Sequence, residues 1–131
     1  MARDALGRLR EEHAAIRARL RSALRAGGEG SLGDLPEMLE AHLDREERWL
    51  YSRSEAIFGT GRAAGALLLA DHRRLRRAAA ALLRKGPRSL RGFARDVERH
   101  FEREERVVFP FAAARIPAAD LLRVRSGLRR G

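Results

Sequence analysis

The sequence predicts an all-α fold, an up-down four-helix bundle with a short C-terminal tail helix. Apolar residues recur every three or four positions in four long segments, the connections between these segments are short, and no segment alternates as a strand does. A chain of 131 residues has the size of one ordinary domain. We therefore expect a single domain over residues 1–131, built from two helical hairpins at about residues 2–52 and 62–112.

The first hairpin is predicted from two apolar stripes. The first helix is expected over residues 2–26, and the glycines of "GGEGS" end it. Ser31 is placed to cap the second helix, and a loop is predicted around "SRSEAIFGTG", residues 52–61. The first stripe consists of Leu6, Leu9, His13, Ile16, Leu20 and Leu24, and the second of Leu32, Leu35, Leu39, His42, Glu46 and Trp49.

The second hairpin shows the same pattern. Gly86 and Pro87 interrupt it, Ser89 is placed to cap the fourth helix, and Pro110 marks a kink or an end of that helix. Pro117 is expected to begin the tail helix, which would end near residue 127. The third stripe consists of Ala64, Leu68, His72, Leu75, Ala79 and Leu82, and the fourth of Leu90, Phe93, Val97, His100, Glu104 and Val108.

One ten-residue pattern occurs twice along the chain. "HLDREERWLY" at residues 42–51 returns as "HFEREERVVF" at residues 100–109, a shift of 100 − 42 = 58 positions. His13 and His72 match at a shift of 72 − 13 = 59 positions. Each predicted hairpin therefore carries one histidine on its first helix and a His-x-x-x-Glu motif on its second.

This spacing places ionisable groups in the core. Residues four apart lie about 40° apart around a helix and about 6 Å along it, so each motif puts its histidine and its glutamate on one apolar face. In an antiparallel hairpin the histidines of the two helices also lie at the same height. Six side chains are therefore expected to converge at one level of the bundle: His13, His42, Glu46, His72, His100 and Glu104.

The convergence of these six side chains predicts a metal site. A lone histidine on an apolar stripe is usually a core residue hydrogen-bonded to a neighbour, but here all four histidines of the chain lie on such stripes. Burying these groups without a partner is costly, and a cation removes that cost. Imidazole and carboxylate without thiolate indicate iron, manganese or zinc, and paired carboxylates in a bundle favour two metal ions.

The composition of the chain limits its possible binding partners and its cellular compartment. The formal net charge is +10, but the arginines are spread over nearly every segment and alternate with acids, so solvated helix faces are favoured over a nucleic-acid surface. There is no cysteine, no long apolar run and no signal-peptide pattern at the start. We expect a cytoplasmic protein without a membrane partner, and a homodimer is one assembly it could form.

The ordered pattern of His13, His42-x-x-x-Glu46, His72 and His100-x-x-x-Glu104 resembles the hemerythrin-like HHE cation-binding domains, over about residues 6–112. The resemblance implies a non-haem di-iron centre in a four-helix bundle. His13 and His42 would bind one iron and His72 and His100 the other. Glu46 and Glu104 would bridge the two irons together with an oxo or hydroxo group.

The chain departs from the oxygen carriers of this family. They have a second histidine one turn after the third-helix histidine, where this chain has Arg76, and their second bridging acid lies one residue later than Glu104. Each iron would then have five ligands and one open position. We expect binding of or reaction with peroxide, dioxygen or nitric oxide, with peroxide decomposition favoured over storage. The alternative is a non-catalytic sensor of oxygen, nitric oxide or iron, or a metal-stabilised regulatory bundle.

The neighbours of the six residues carry further expectations. Glu47 and Glu105 are expected to be exposed and salt-bridged, and Tyr51 to have a packing or interface role unless the helix unwinds near Ser52. An acid precedes each first-helix histidine and is expected to face solvent, with hydrogen bonding to a ligand histidine as the alternative. These acids are Glu12 and Asp71. The expected core or pocket wall is formed by Trp49, Leu50, Val107, Val108 and Phe111.

Overall fold

The structure is a computed structural model, and it describes residues 4–26, 32–59, 63–85 and 89–122. The predicted all-α fold is confirmed, and no strand occurs within these ranges. The main helices are α1 (Ala5–Ala26), α2 (Leu35–Trp49), α3 (Ser54–Phe58), α4 (Ala63–Lys85), α5 (Leu90–Arg103) and α6 (Phe109–Arg115). A 3₁₀ turn at Tyr51–Arg53 precedes α3, and a π-helical turn at Glu104–Val108 joins α5 to α6.

The long helices form the expected four-helix bundle. Helix α1 packs against α2 and α5, and α4 also packs against α2 and α5, so the four helices close into a ring. Most residues of the predicted apolar stripes are buried between these helices, with Leu24 as an exception. None of the described helices is long and apolar enough to cross a membrane.

The core consists of two apolar clusters, an upper cluster that contains Leu9, Leu68 and Ile57 and a lower cluster that contains Ile16, Leu75 and Leu39. Along α1, Leu9 belongs to one cluster and Ile16 to the other, and His13 lies between them. Along α4, His72 lies in the same way between Leu68 of the upper cluster and Leu75 of the lower cluster. The histidines therefore occupy a polar layer that has apolar packing on both sides.

The connection between the hairpins is more helical than predicted. The segment expected as a loop over residues 52–61 contains part of the 3₁₀ turn and all of α3, so that prediction is wrong for these positions. Helix α2 ends at Trp49, and the following turn carries Tyr51 inward, where it is buried. Ile57 is fully buried against the upper core, and its burial explains why this short helix forms.

The π-helical turn changes which residues face the core after the second motif. By α-helical periodicity Val107 and Phe111 would share the face of His100, but they are 43% and 42% exposed, so neither is a core residue. Val107 lines a surface cavity instead. Val108, predicted on the fourth stripe, is buried as expected, and after the wider turn Ala112 takes the next inward position. Pro110 therefore follows a π turn in a helix that continues, rather than ending it.

Only some of the predicted helix ends lie within the described residues. Ser31, Gly86 and Pro87 lie outside the described residues, whereas Ser89 occupies the N-cap position of α5 without a side-chain cap hydrogen bond. Residues 118–122 are helical after Pro117, as expected for a tail helix, and its predicted end near residue 127 lies outside the described residues. The division into one domain of two hairpins stays a prediction.

The core arrangement generates a stability prediction. Leu39 is 1% exposed in the lower cluster, and Leu24, predicted as core, is 38% exposed because Ala23 takes the inward position. Replacing Leu39 with Ala should lower the free energy of unfolding by about 2–5 kcal/mol, since a cavity remains. Leu24→Ala, the same change at a more exposed site, should cost less than about 1 kcal/mol. Urea unfolding of both variants measures the difference, and equal losses would contradict the described core.

Candidate metal centre

The structure brings the six predicted side chains together in one buried layer. Helices α1, α2, α4 and α5 each contribute one histidine. Helix α2 also contributes Glu46, and the π-helical turn after α5 contributes Glu104. None is more than 3% exposed. We call His13 and His42 the first half of the layer, and His72 and His100 the second half.

Glu46 faces both halves of the layer. Its Oε2 atom lies 3.0 Å from Nε2 of His42 and 3.3 Å from Nε2 of His13. Its Oε1 atom lies 3.1 Å from Nε2 of His72 and 3.9 Å from Nε2 of His100. One oxygen of this carboxylate therefore faces each half.

Glu104 repeats this arrangement from the opposite hairpin. Its Oε1 atom lies 3.1 Å from Nε2 of His13. Its Oε2 atom lies 3.1 Å from Nε2 of His100 and 3.7 Å from Nε2 of His72. The two carboxylates and four imidazoles thus direct their ligand atoms into a common interior.

The outward Nδ1 atoms of three imidazoles are held by carboxylates. This contact fixes the ring orientation and leaves Nε2 directed inward, as is usual for metal-binding histidines. In each case the carboxylate comes from a different helix. The pairs are His13 with Glu105 at 2.6 Å, His42 with Glu12 at 2.8 Å, and His72 with Glu47 at 2.7 Å.

Arginines support two of these outer carboxylates. Arg17 donates to Glu105 at 2.8 Å, and Arg76 donates to Glu47 at 2.6 Å. Each arginine also donates to an acid nearer the surface, Glu98 for the first and Glu40 for the second. Glu47 and Glu105 are thus salt-bridged as expected. However, they are only 27% and 28% exposed, so the expectation of simple surface pairs is wrong.

Tyr51 belongs to the site, contrary to the favoured expectation of a packing role. The helix unwinds after Trp49, as the alternative required, and the buried phenol donates a hydrogen bond to Oε2 of Glu104. Its ring lies 4.9 Å from that of His72. The repeat could have indicated this position, because its counterpart 58 residues later is Phe109, which packs 5.4 Å from His13.

The donor set fits cations. The ligand atoms of each half together with the two carboxylates lie within 4.8 Å of one another. Several of these atoms are buried without a hydrogen-bond partner among the described residues: Nε2 of His42, His72 and His100, and Oε1 of Glu46 and Glu104. Imidazole nitrogen and carboxylate oxygen are suitable ligands for iron, manganese or zinc. The geometry therefore offers two adjacent four-donor sets that share both carboxylates.

Comparison with known proteins agrees with this geometry. The family model described as hemerythrin HHE cation binding domain matches residues 4–112. The chain belongs to this family. Comparisons with the curated proteins and with the solved structures gave no match. A buried His/Glu cluster in a hemerythrin HHE domain indicates a metal-binding protein.

The sequence interpretation missed the role of Glu47 and Glu105, although the hemerythrin HHE repeat contained a signal. Both motifs read Glu-Glu-Arg, and in each the first glutamate faces the layer while the second reaches an imidazole of the other hairpin. Arg17 and Arg76 each lie four residues after a first-helix histidine. Repetition at matched positions was therefore informative, but the contacts cross between hairpins and no helical period predicts them.

In the absence of a cation the charges of the layer stabilise one another. Burial alone lowers the pKa of His42, but the charge of Glu46 and the hydrogen bond with Glu12 raise it to about 9. The pKa of His72 is likewise about 9 and that of His100 about 10. Burial raises the pKa of Glu46, yet the surrounding imidazolium groups hold it well below 4.5. Protons thus balance the carboxylates where a cation would otherwise do so.

These shifts predict how pH affects the metal-free hemerythrin HHE domain. The raised histidine pKa values stabilise the fold fully below pH 6.5, and that stabilisation is lost as the pH rises through about 9 to 10. The lowered pKa of Glu46 gives a contribution that is present above pH 4.5 and lost as the pH falls below it. Urea unfolding in chelator should show the free energy of unfolding falling from pH 6.5 towards 10.

A cation should reverse this dependence, because it binds neutral imidazoles and competes with protons. Metal affinity should therefore rise over the same pH interval in which the metal-free protein loses stability. The variant His100→Ala, measured without metal, should show a weaker decline than the wild-type chain. A metal-free stability that rises towards alkaline pH would contradict the charge arrangement described for the layer.

Proposed function

We propose that the chain is a di-iron protein that decomposes hydrogen peroxide. His13 and His42 would hold one iron, His72 and His100 the other, and Glu46 and Glu104 would bridge them. The observation that supports this most directly is that each carboxylate presents one oxygen to each half of the layer. Such bridging is the usual way in which a bundle core holds two cations next to each other.

The number of ligand atoms that the protein supplies favours reaction with peroxide over storage of dioxygen. Each half offers two imidazoles and one oxygen from each carboxylate, so both leave positions free towards octahedral geometry. Arg76 does not add a donor, because its guanidinium is bonded to Glu47 and Glu40 outside the layer. Iron held by these residues would supply two-electron redox chemistry, in which one peroxide is oxidised to dioxygen and two protons and a second peroxide takes up those electrons and protons to give two waters.

The chain itself would orient the peroxide and limit access to the layer. Burial raises the pKa of Tyr51 well above 10, and the negative charge of Glu104 raises it further, so the phenol keeps its proton and acts as a hydrogen-bond donor. Leu50 and Val108 are fully buried beside it and limit the approach of water. Glu46 and Glu104 hold the two halves at a fixed separation. Tyr51 is therefore the group that would donate a hydrogen bond to a peroxide entering the layer beside Glu104.

Iron content tests the proposed ligands. The iron-loaded chain should contain close to two irons, and Glu104→Gln should lose most of this iron, because an amide replaces a charged ligand. Glu102→Gln is a matched control, since Glu102 lies two residues earlier with its side chain 51% exposed. Metal analysis after gel filtration measures both. About one metal per chain in wild type, or equal iron in the two variants, would show that the ligand assignment is wrong.

Peroxide turnover tests the proposed reaction. Iron-loaded wild type should release dioxygen from hydrogen peroxide at a measurable rate. Tyr51→Phe should keep its iron but turn over about tenfold more slowly, which is the rate equivalent of one lost hydrogen bond of about 1.4 kcal/mol. A stable, reversible dioxygen adduct without peroxide turnover would overturn this function and support carriage or sensing.

A further inference from the structure

The two halves of the layer are not equally supported from outside. Three histidines have their Nδ1 atoms within 2.8 Å of a carboxylate oxygen. The exception is His100, whose Nδ1 lies 3.6 Å from Oδ2 of Asp71 and has no hydrogen-bond partner among the described residues. The first half therefore has two fixed imidazoles, and the second half has one.

The difference between Asp71 and its counterpart Glu12 explains this contrast. Glu12 accepts from Nδ1 of His42 on Oε1 and from Nε of Arg45 on Oε2, at 2.8 and 2.7 Å. Asp71 is one methylene shorter, and arginines occupy both of its oxygens. Arg103 lies 2.5 Å from Oδ2, and Arg74 lies 3.3 Å from Oδ1. Both oxygens of Asp71 are thus engaged by arginines, and its carboxylate stays 3.6 Å from Nδ1 of His100.

A surface cleft opens beside the same histidine. The cleft has a volume of about 100 Å³, and its lining includes His100, Asp71 and Asp96 together with three arginines. This volume exceeds that of a water molecule, which is about 30 Å³ in the liquid. The cleft brings solvent to the outer side of His100, whose ring nitrogens are themselves buried.

The aromatic rings that pack against the histidines also differ between the two halves. The ring of Phe101 stacks 3.7 Å from that of His13, and Phe109 also packs on this imidazole. The matching residues of the other repeat are Leu43 and Tyr51. His13 is therefore covered by two phenyl rings, whereas in the second half the phenol of Tyr51 lies 4.9 Å from His72 and Phe101 lies 6.4 Å from His100.

We propose that the two halves hold their cations unequally: the first half retains its cation, and the second half, which lies beside the cleft at Asp71, exchanges its cation. This inference rests on the proposed two-cation centre but not on its peroxide chemistry. Asp71 is a positioning residue in this scheme. Its short side chain leaves the His100 imidazole free to turn, and a ligand that can turn releases its cation faster.

Cobalt(II) release from the full-length chain tests the inequality. The chain loaded with two cobalt ions should lose them to excess chelator in two phases of equal amplitude, with rates that differ by about tenfold or more. Asp71→Glu, which restores the reach of Glu12, should slow the fast phase alone. Glu12→Asp should accelerate the slow phase alone. Asp96→Glu adds the same methylene elsewhere on the cleft and should change neither rate.

Uptake of fewer than two cobalt ions, a single release rate, or an Asp71→Glu effect on the slow phase would overturn the proposal. Two release phases without peroxide turnover in the iron form would leave this inference standing while refuting the proposed function.

Discussion

The rest of the structure depends on two carboxylates that are buried among four imidazoles. Glu46 and Glu104 are 0% exposed, and an isolated buried carboxylate is strongly destabilising. Their negative charge must be balanced at the same level of the bundle. This requirement explains why every histidine of the chain lies in that layer and why the apolar core is divided into two clusters.

A second ring of contacts turns this layer into a connection between the hairpins. His13 is bonded to Glu105 and His72 to Glu47, so each hairpin orients an imidazole of the other. Arg17 and Arg76 extend these bonds outward and are each about one quarter exposed. Exposed ion pairs alone contribute little to stability. Here their partner carboxylates also hold buried rings, so they fix geometry in the interior.

Much of this arrangement could be predicted from the sequence, because it follows from helical periodicity and from repetition. The four stripes follow from the spacing of the apolar residues. The convergence of the six residues follows from the spacing of His42, Glu46 and their counterparts. The position of Tyr51 required a helix to end at Trp49, and the outward turn of Val107 and Phe111 required a π-helical turn. Both are departures from regular helix that depend on tertiary packing, and a periodic pattern cannot indicate them.

The approximate two-fold repeat also explains how one small domain can combine a firm and a labile ligand set. Two identical halves would bind their cations with equal affinity, because any residue that weakened binding in one half would be repeated in the other. In this chain the inner ligands are repeated, whereas the surrounding residues differ: Glu12 corresponds to Asp71, and Phe109 to Tyr51. The repeated residues preserve the charge balance on which folding depends. The unrepeated ones are therefore free to differentiate the halves, because none of them carries the buried charge.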